Sequence, residues 1–188
     1  MEKTFYFFRH GETNYNLRYL RQGCQINKGL NSTGRKQAQH LAENLLDKKI
    51  ELIYSSPLYR AVETAGIIAD KLQIPVIMMP QLTEGNFGEA EGLHEDEVKS
   101  RWPEIISVWY QDTEMDKGFP GGETKQQIQD RMFAAINNLL QAPADVIGIS
   151  SHGTALRLLL MKLGCNNKKL SNAEAIEVQY HNGEWTIY

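Results

Sequence analysis

The stretch that decides the fold is Thr4-Phe5-Tyr6-Phe7-Phe8-Arg9-His10-Gly11-Glu12-Thr13. Residues 4–8 are aromatic and β-prone, which predicts a buried strand. Arg9 and His10 break the apolar run after a few residues, so we expect neither a signal peptide nor a membrane span here. The sequence therefore predicts a strand that carries charged and polar side chains at its carboxyl end.

Downstream of this strand, short apolar runs alternate with longer stretches of helical periodicity. Apolar residues at 38, 41, 42, 45 and 46 predict a helix from Ser32 to about residue 48, with Ser32 or Thr33 as its N-cap. Pro57 suits the first turn of the next helix, and Pro103 should kink or split a helix over residues 95–112. Glu123 or Thr124 should open a further helix.

The remaining strand signals complete an α/β pattern. Strands are predicted at 50–55, 75–79 and 145–151, a helix at 154–163, and a hairpin of 175–180 and 185–188 joined at Asn182-Gly183. Alternating strands and helices indicate an α/β sandwich with a mostly parallel sheet. No repeat or linker interrupts the pattern, so we expect a single domain over residues 1–188.

Composition narrows the class of protein. The chain has 188 residues and a formal net charge of -3, which argues against a nucleic-acid-binding surface as its main function. Cys24 and Cys165 lack zinc-type spacing, and we expect two reduced thiols in a cytoplasmic protein.

Polar side chains gather where the predicted strands end. The first strand ends in Arg9-His10-Gly11, the second in Ser55-Ser56-Pro57 with Arg60 one turn on, and a later one in Ser151-His152-Gly153. Glu84 follows the third strand after a few residues. Ligands bind at the carboxyl ends of strands in such sheets, so we expect these side chains to share one cleft.

Two imidazoles between two guanidiniums disfavour a metal ion and suit a phosphoryl group. An imidazole is a competent neutral nucleophile near pH 7, and attack by His10 on phosphorus would give a phosphohistidine. Pre-placed cations stabilise the charge of a transferring phosphoryl group. Glu84 is the carboxyl best placed to protonate the leaving alkoxide.

Each residue also has a plainer explanation. Arg9 and His10 could decorate the surface, Arg60 could be solvated or paired with Glu63, and His152 could lie next to a helix cap without a chemical role. Taken singly, the plainer explanation is favoured for each. Taken together at consecutive strand ends, with a glycine beside each histidine that lets the backbone approach a ligand, they indicate function.

Five segments, in order, resemble the motifs of the histidine phosphatase superfamily, which includes cofactor-dependent phosphoglycerate mutase and many small phosphatases. The resemblance covers nearly the whole chain. The segments are residues 9–13 with Asn14 and Asn16, residues 55–65, residues 84–92, residues 120–124, and Ser151-His152-Gly153.

The resemblance implies a phosphoglycerate-mutase-like three-layer α/β/α sandwich and a role for each matching residue. His10 would be the phosphorylated nucleophile and Glu84 the proton donor, with Arg9, Arg60 and His152 as further catalytic residues on the phosphoryl group. No metal or organic cofactor is implied. The implied substrate-binding residues are Arg9, Asn16, Gln22, Gly23, Arg60, Glu84, His152 and Gly153.

One loop departs from the family's pattern. Relatives often carry Gly-x-x-Asp-x-Pro-Leu, whereas residues 22–30 here are one residue longer, with Asn27 for the acid and Gly29 for the proline. This loop lines the substrate side in the family, so the change bears on specificity. Arg18, Arg21 and Lys28 are either contacts for a second anionic group of the substrate or solvated loop charges.

The resemblance leaves three functions open. A compact chain and the segment over residues 87–92 favour a phosphatase that hydrolyses a small phosphorylated metabolite. A mutase would return the phosphoryl group to another hydroxyl, and a degenerate member would only bind phosphorylated ligands. The expected partner is a small phosphate ester, with no nucleic acid and no membrane, and a homodimer is left open.

Overall fold

The computed structural model describes residues 2–166 and 168–188, and its centre is a six-stranded sheet of order β3-β2-β4-β1-β5-β6. Strands β1, β2, β3 and β4 run parallel to one another. Strand β5 is antiparallel to β1, and β6 is antiparallel to β5. The strands are β1 Glu2–Arg9, β2 Leu52–Ser55, β3 Val76–Met78, β4 Val146–Ser151, β5 Ala175–His181 and β6 Glu184–Ile187.

Helices flank this sheet, and within the described part of the chain none is long and apolar enough to cross a membrane. Short 3-10 turns lie at Leu46–Lys48, Pro80–Leu82 and Gly88–Ala90. The α-helices are α1 Asn14–Leu17, α2 Ser32–Asn44, α3 Tyr59–Leu72, α4 Glu95–Arg101, α5 Pro103–Trp109, α6 Lys125–Leu139 and α7 Gly153–Lys162.

Alternate side chains of β1 divide the core between the two faces of the sheet, because successive residues of a strand point to opposite sides. Phe5 and Phe7 are fully buried in the apolar cluster that contains the inner faces of α6 and α7. Tyr6 and Phe8 belong to the cluster formed with α2 and α3. The molecule therefore has three layers, as the resemblance implied.

Most predicted elements are confirmed, including the split at Pro103 and the terminal hairpin. Two helix starts were wrong. The N-cap of α2 is Asn31, whose side chain accepts a hydrogen bond from the Gly34 amide at 2.8 Å, in place of Ser32 or Thr33. Helix α3 begins at Tyr59, so Pro57 precedes it and does not lie in its first turn.

Candidate active site

The carboxyl ends of β1, β2 and β4 meet at one edge of the sheet and bring the two histidines together. Arg9 is paired with Ser151 in the β1–β4 register, and the His10 amide donates to the Ser151 carbonyl at 3.1 Å. The imidazole centroids of His10 and His152 lie 5.2 Å apart. Both rings are buried, so the predicted clustering at the strand ends is present in the structure.

His10 is held as a neutral base. Its Nδ1 lies 2.7 Å from the Gly11 carbonyl, and because a carbonyl can only accept, Nδ1 carries the proton and Nε2 keeps its lone pair. Burial lowers the pKa of His10 well below its ordinary value, and the charges of Arg60 and Arg9 lower it further. Near pH 7 the free Nε2 is therefore available as a nucleophile.

His152 is also neutral, but both of its ring nitrogens are used within the protein. Arg60 Nε donates to His152 Nδ1 at 3.2 Å, which places the ring proton on Nε2, 2.7 Å from the Ser56 hydroxyl. Burial, followed by the charge of Arg60, lowers the pKa of His152 well below its ordinary value. The idea that His152 is a mere helix-cap neighbour accounts for neither hydrogen bond.

Arg60 is fully buried and therefore not solvated, and Glu63 pairs with Arg35 instead of with Arg60. Its Nη1 donates to the Ile26 carbonyl at 2.7 Å and its Nη2 to the Gly23 carbonyl at 3.1 Å. Burial lowers the pKa of Arg60 to about 10, so the guanidinium stays charged near neutrality. Arg60 thereby ties the loop over residues 22–30 to His152.

Glu84 follows the 3-10 turn after β3 and points at the start of α7. Its Oε1 accepts from the amides of Gly85 and Ala155, both at 2.9 Å, and its Oε2 accepts from the Thr154 amide at 3.0 Å. The first amides of a helix have no partner within the helix and readily donate to a carboxyl oxygen. Three backbone donors thus fix the carboxyl group at the same edge of the sheet as His10.

A residue that sequence reasoning missed holds the Glu84 backbone. Arg131 on α6 donates to the carbonyls of Thr83 at 2.8 Å and Glu84 at 3.0 Å, and pairs with Glu123 at 2.8 Å. Glu123 in turn accepts from the Asn86 amide at 2.8 Å. This gives the 120–124 motif a structural role, because Glu123 and Arg131 together brace the segment that carries Glu84.

The glycines beside the histidines have packing roles. A Cβ on Gly11 would overlap the Gly34 carbonyl, so the close approach there is to α2 and not to a ligand. A Cβ on Gly153 would lie 3.3 Å from Arg9 Cζ and Nε. Arg9 Nη1 donates to the Leu170 carbonyl at 3.1 Å, which anchors the guanidinium to the segment before β5.

Asn16 and Gln22 reach the cleft from the loop after β1. Thr13 Oγ1 donates to Gln22 Oε1 at 2.8 Å, which leaves the buried Gln22 Nε2 without a hydrogen-bond partner in the described structure. Asn16 Oδ1 accepts from the Thr13 amide at 3.1 Å within a capping box of α1. The Gly23 carbonyl is already occupied by Arg60.

A small cavity of about 150 Å³ opens over His10. Arg60 and His152 are not part of its lining, and neither are the exposed Arg18 and Lys28. Arg21 does line it. The full lining is Arg9, His10, Asn16, Leu20, Arg21, Gln22, Glu84, Phe87, Glu95, Tyr110, Gly153, Thr154, Arg157 and Lys169.

Comparison with known proteins gives the family. The profile of the histidine phosphatase superfamily (branch 1) matches residues 5–188. "Uncharacterized phosphatase PhoE" of Bacillus subtilis (strain 168) is 31% identical over 95% of this chain and 89% of its own length. The "2,3-bisphosphoglycerate-dependent phosphoglycerate mutase" of Bartonella henselae is 30% identical over 93% and 88%.

A solved mycobacterial glucosyl-3-phosphoglycerate phosphatase superposes with a TM-score of 0.90 at 24% identity, over 99% of this chain and 97% of that one, and so supports the fold. The chain belongs to the histidine phosphatase superfamily. The family includes both activities named among these relatives, and we classify this chain as a histidine phosphatase.

Proposed function

We propose that the protein hydrolyses small phosphomonoesters through a phosphohistidine on His10, with Glu84 as the proton donor. The observation that carries this proposal is the neutral His10, with its free Nε2, beside the positive charges of Arg9 and Arg60. A nucleophile without charge and two fixed cations suit an anionic phosphoryl group.

In the first step the lone pair of His10 Nε2 attacks phosphorus and the P–O bond to the leaving group breaks. Glu84 gives its proton to the departing alkoxide, which leaves as an alcohol. Arg9, Asn16 and Gln22 line the cavity and can donate to the phosphoryl oxygens. Arg60 contributes positive charge near His10, and His152 keeps Arg60 oriented through the 3.2 Å hydrogen bond.

In the second step water attacks phosphorus and the N–P bond breaks. The Glu84 carboxylate now accepts a proton from that water, so the acid of the first step is the base of the second. Inorganic phosphate leaves, and His10 and Glu84 regain their starting states. The direct contact of Arg60 and His152 with the phosphoryl group stays a prediction, since their polar atoms already have partners in the protein.

We favour water over a second substrate hydroxyl because the segment over residues 87–92 resembles the phosphatase version of this family motif. The competing activity has a direct test. Supplied with 3-phosphoglycerate, the protein should release inorganic phosphate without forming 2-phosphoglycerate. Accumulation of 2-phosphoglycerate would establish the mutase instead.

A chromogenic aryl phosphate tests catalysis itself. We expect turnover between pH 5 and 8, and a panel of phosphorylated metabolites scored by phosphate release should then identify the preferred ester. Absence of turnover by the folded protein on the whole panel would leave only the binding-protein function.

A further inference from the structure

Unpartnered donors concentrate around the cavity over His10. Within residues 2–166 and 168–188, five buried side-chain atoms lack a hydrogen-bond partner, and four of them belong to residues that line this cavity. All four are N–H groups, and buried donors without partners are rare and costly. The four are Arg9 Nε, Arg21 Nε, Gln22 Nε2 and Arg157 Nη1.

Arg9 and Gln22 are the donors that the proposed mechanism places on the phosphoryl group, whereas Arg21 and Arg157 both contact residues at the end of α5. Both are 5% exposed. Arg157 Nη2 donates to the Trp109 carbonyl at 2.8 Å, and Arg21 Nη2 lies 3.4 Å from the Tyr110 hydroxyl. The proposed mechanism uses neither arginine.

The pair is held rigidly. The guanidinium of Arg21 lies over Phe119, with Cζ 4.8 Å from the ring centroid. The buried Lys125 donates to the carbonyls of Val108 at 2.8 Å and Gln111 at 2.9 Å, and also to that of Thr113. The turn beside Arg157 is therefore preorganised, which lowers the cost of binding a ligand there.

The surroundings of Arg21 and Arg157 carry charges of both signs. Arg21, Arg157 and Lys169 supply three positive charges. Glu95 pairs with Arg21 at 2.8 Å, and Asp112 comes within 3.9 Å of Arg157 without a hydrogen bond. The two unpartnered N–H groups, Arg21 Nε and Arg157 Nη1, match the two oxygens of one carboxylate.

We propose that Arg21 and Arg157 form a second anion-binding subsite, and that the substrate is a short phosphomonoester carrying a carboxylate. The inference rests on the proposed phosphatase function and names its substrate class. The cavity volume of about 150 Å³ favours a short carbon skeleton, since pockets for drug-sized ligands start at roughly 300 Å³.

The test compares esters that differ only in the carboxylate. The enzyme should hydrolyse 3-phosphoglycerate with a kcat/KM about 10- to 100-fold above that for glycerol 1-phosphate, the range expected for hydrogen bonds to a charged group. Glycerol 1,3-bisphosphate should be no better than glycerol 1-phosphate. Preference for the bisphosphate would show that the subsite binds phosphate and would overturn the carboxylate assignment.

Variants locate the effect. Arg157→Met and Arg21→Met should each bring the ratio of the two kcat/KM values close to one, whereas Arg18→Met, an exposed cation of the same loop region, should keep it. Thermal melting shows which variants fold. Because Arg21 and Arg157 lie on different elements, the test can still be made if one of the two variants fails to fold. An equal loss of the ratio in Arg18→Met would overturn the assignment.

Different experimental results would reject the proposed subsite and the proposed phosphatase function. Turnover of an aryl phosphate with a wild-type ratio near one would reject the subsite and leave the phosphatase function standing. If no ester is hydrolysed, the phosphatase function fails. Calorimetric binding of 3-phosphoglycerate against glycerol 1-phosphate then decides the subsite, and equal affinities would reject it.

Discussion

At the scale of single residues, His10 and His152 show how one environment gives two histidines different tasks. Both are buried near Arg60, and the pKa of each is lowered well below its ordinary value. Only His10 keeps an unoccupied ring nitrogen, because Nδ1 bonds the Gly11 carbonyl and nothing occupies Nε2 within the described residues. His152 uses both nitrogens, on Arg60 and Ser56.

Replacing His10 by Gln should lower kcat by a thousandfold or more, since removal of a nucleophile leaves only the contribution of binding and electrostatics (~10³-fold or more). Inorganic phosphate should still bind, as measured by calorimetry. His40→Gln, an exposed histidine on α2, is the matched control and should keep wild-type turnover. Near-normal turnover by the His10 variant would rule out the assigned nucleophile.

Replacing Glu84 by Gln should lower kcat/KM to an extent that depends on the leaving group of the substrate. The value of kcat/KM for alkyl esters should fall by about 10²- to 10⁴-fold, because their alkoxides need an acid. Aryl phosphates with good leaving groups should lose much less. Equal losses for both classes would show that Glu84 does not protonate the leaving group.

The two buried histidines should also make stability depend on pH. The pKa of each is lowered in the fold, so below about pH 6.5 the unfolded chain binds protons that the folded chain does not. The free energy of unfolding should therefore fall with decreasing pH, by up to about 1.4 kcal/mol per pH unit for each histidine. Urea unfolding of wild type, His10→Gln and His152→Gln between pH 7 and 5 checks this. Identical slopes for all three would refute it.

At the scale of elements, patterns along the chain predicted most helices and strands but not what their polar side chains contact. Residues that follow the strands could be placed together from the sequence, because the carboxyl ends of parallel strands lie at the same edge of the sheet. Arg131 could not be assigned, since an arginine on an amphipathic helix normally faces water. Its contacts to the Thr83 and Glu84 carbonyls depend on where α6 packs. Asn31 was missed because Ser32 and Thr33 next to it also suit an N-cap.

Arg131 is a positioning residue for Glu84, so its replacement should have the same kind of effect as a less effective proton donor. Arg131→Met should lower kcat/KM for alkyl esters by roughly tenfold or more, with a smaller change for aryl phosphates. Arg131→Lys should restore part of the loss. Arg101→Met removes an exposed ion pair of α4 and is the control. A loss equal on both ester classes would indicate a merely structural role.

At the scale of the whole molecule, the sheet gathers groups from distant parts of the chain over one small cavity. The motif residues at strand ends could be predicted from the sequence, whereas Arg157 and Lys169 could not, because their approach depends on the packing of α7 and of the segment before β5. Homodimer formation stays a prediction, which light scattering of the purified protein would test.

The most direct test of the central claim is to trap the phosphorylated enzyme. Glu84→Gln mixed with an aryl phosphate should accumulate phosphoenzyme, because its second step lacks the base, and intact mass after an alkaline quench should show one added phosphoryl group. Peptide mapping should place that group on His10, and it should be lost in acid. Steady turnover without any phosphorylated protein, or a phosphoryl group on a peptide that lacks His10, would contradict the account.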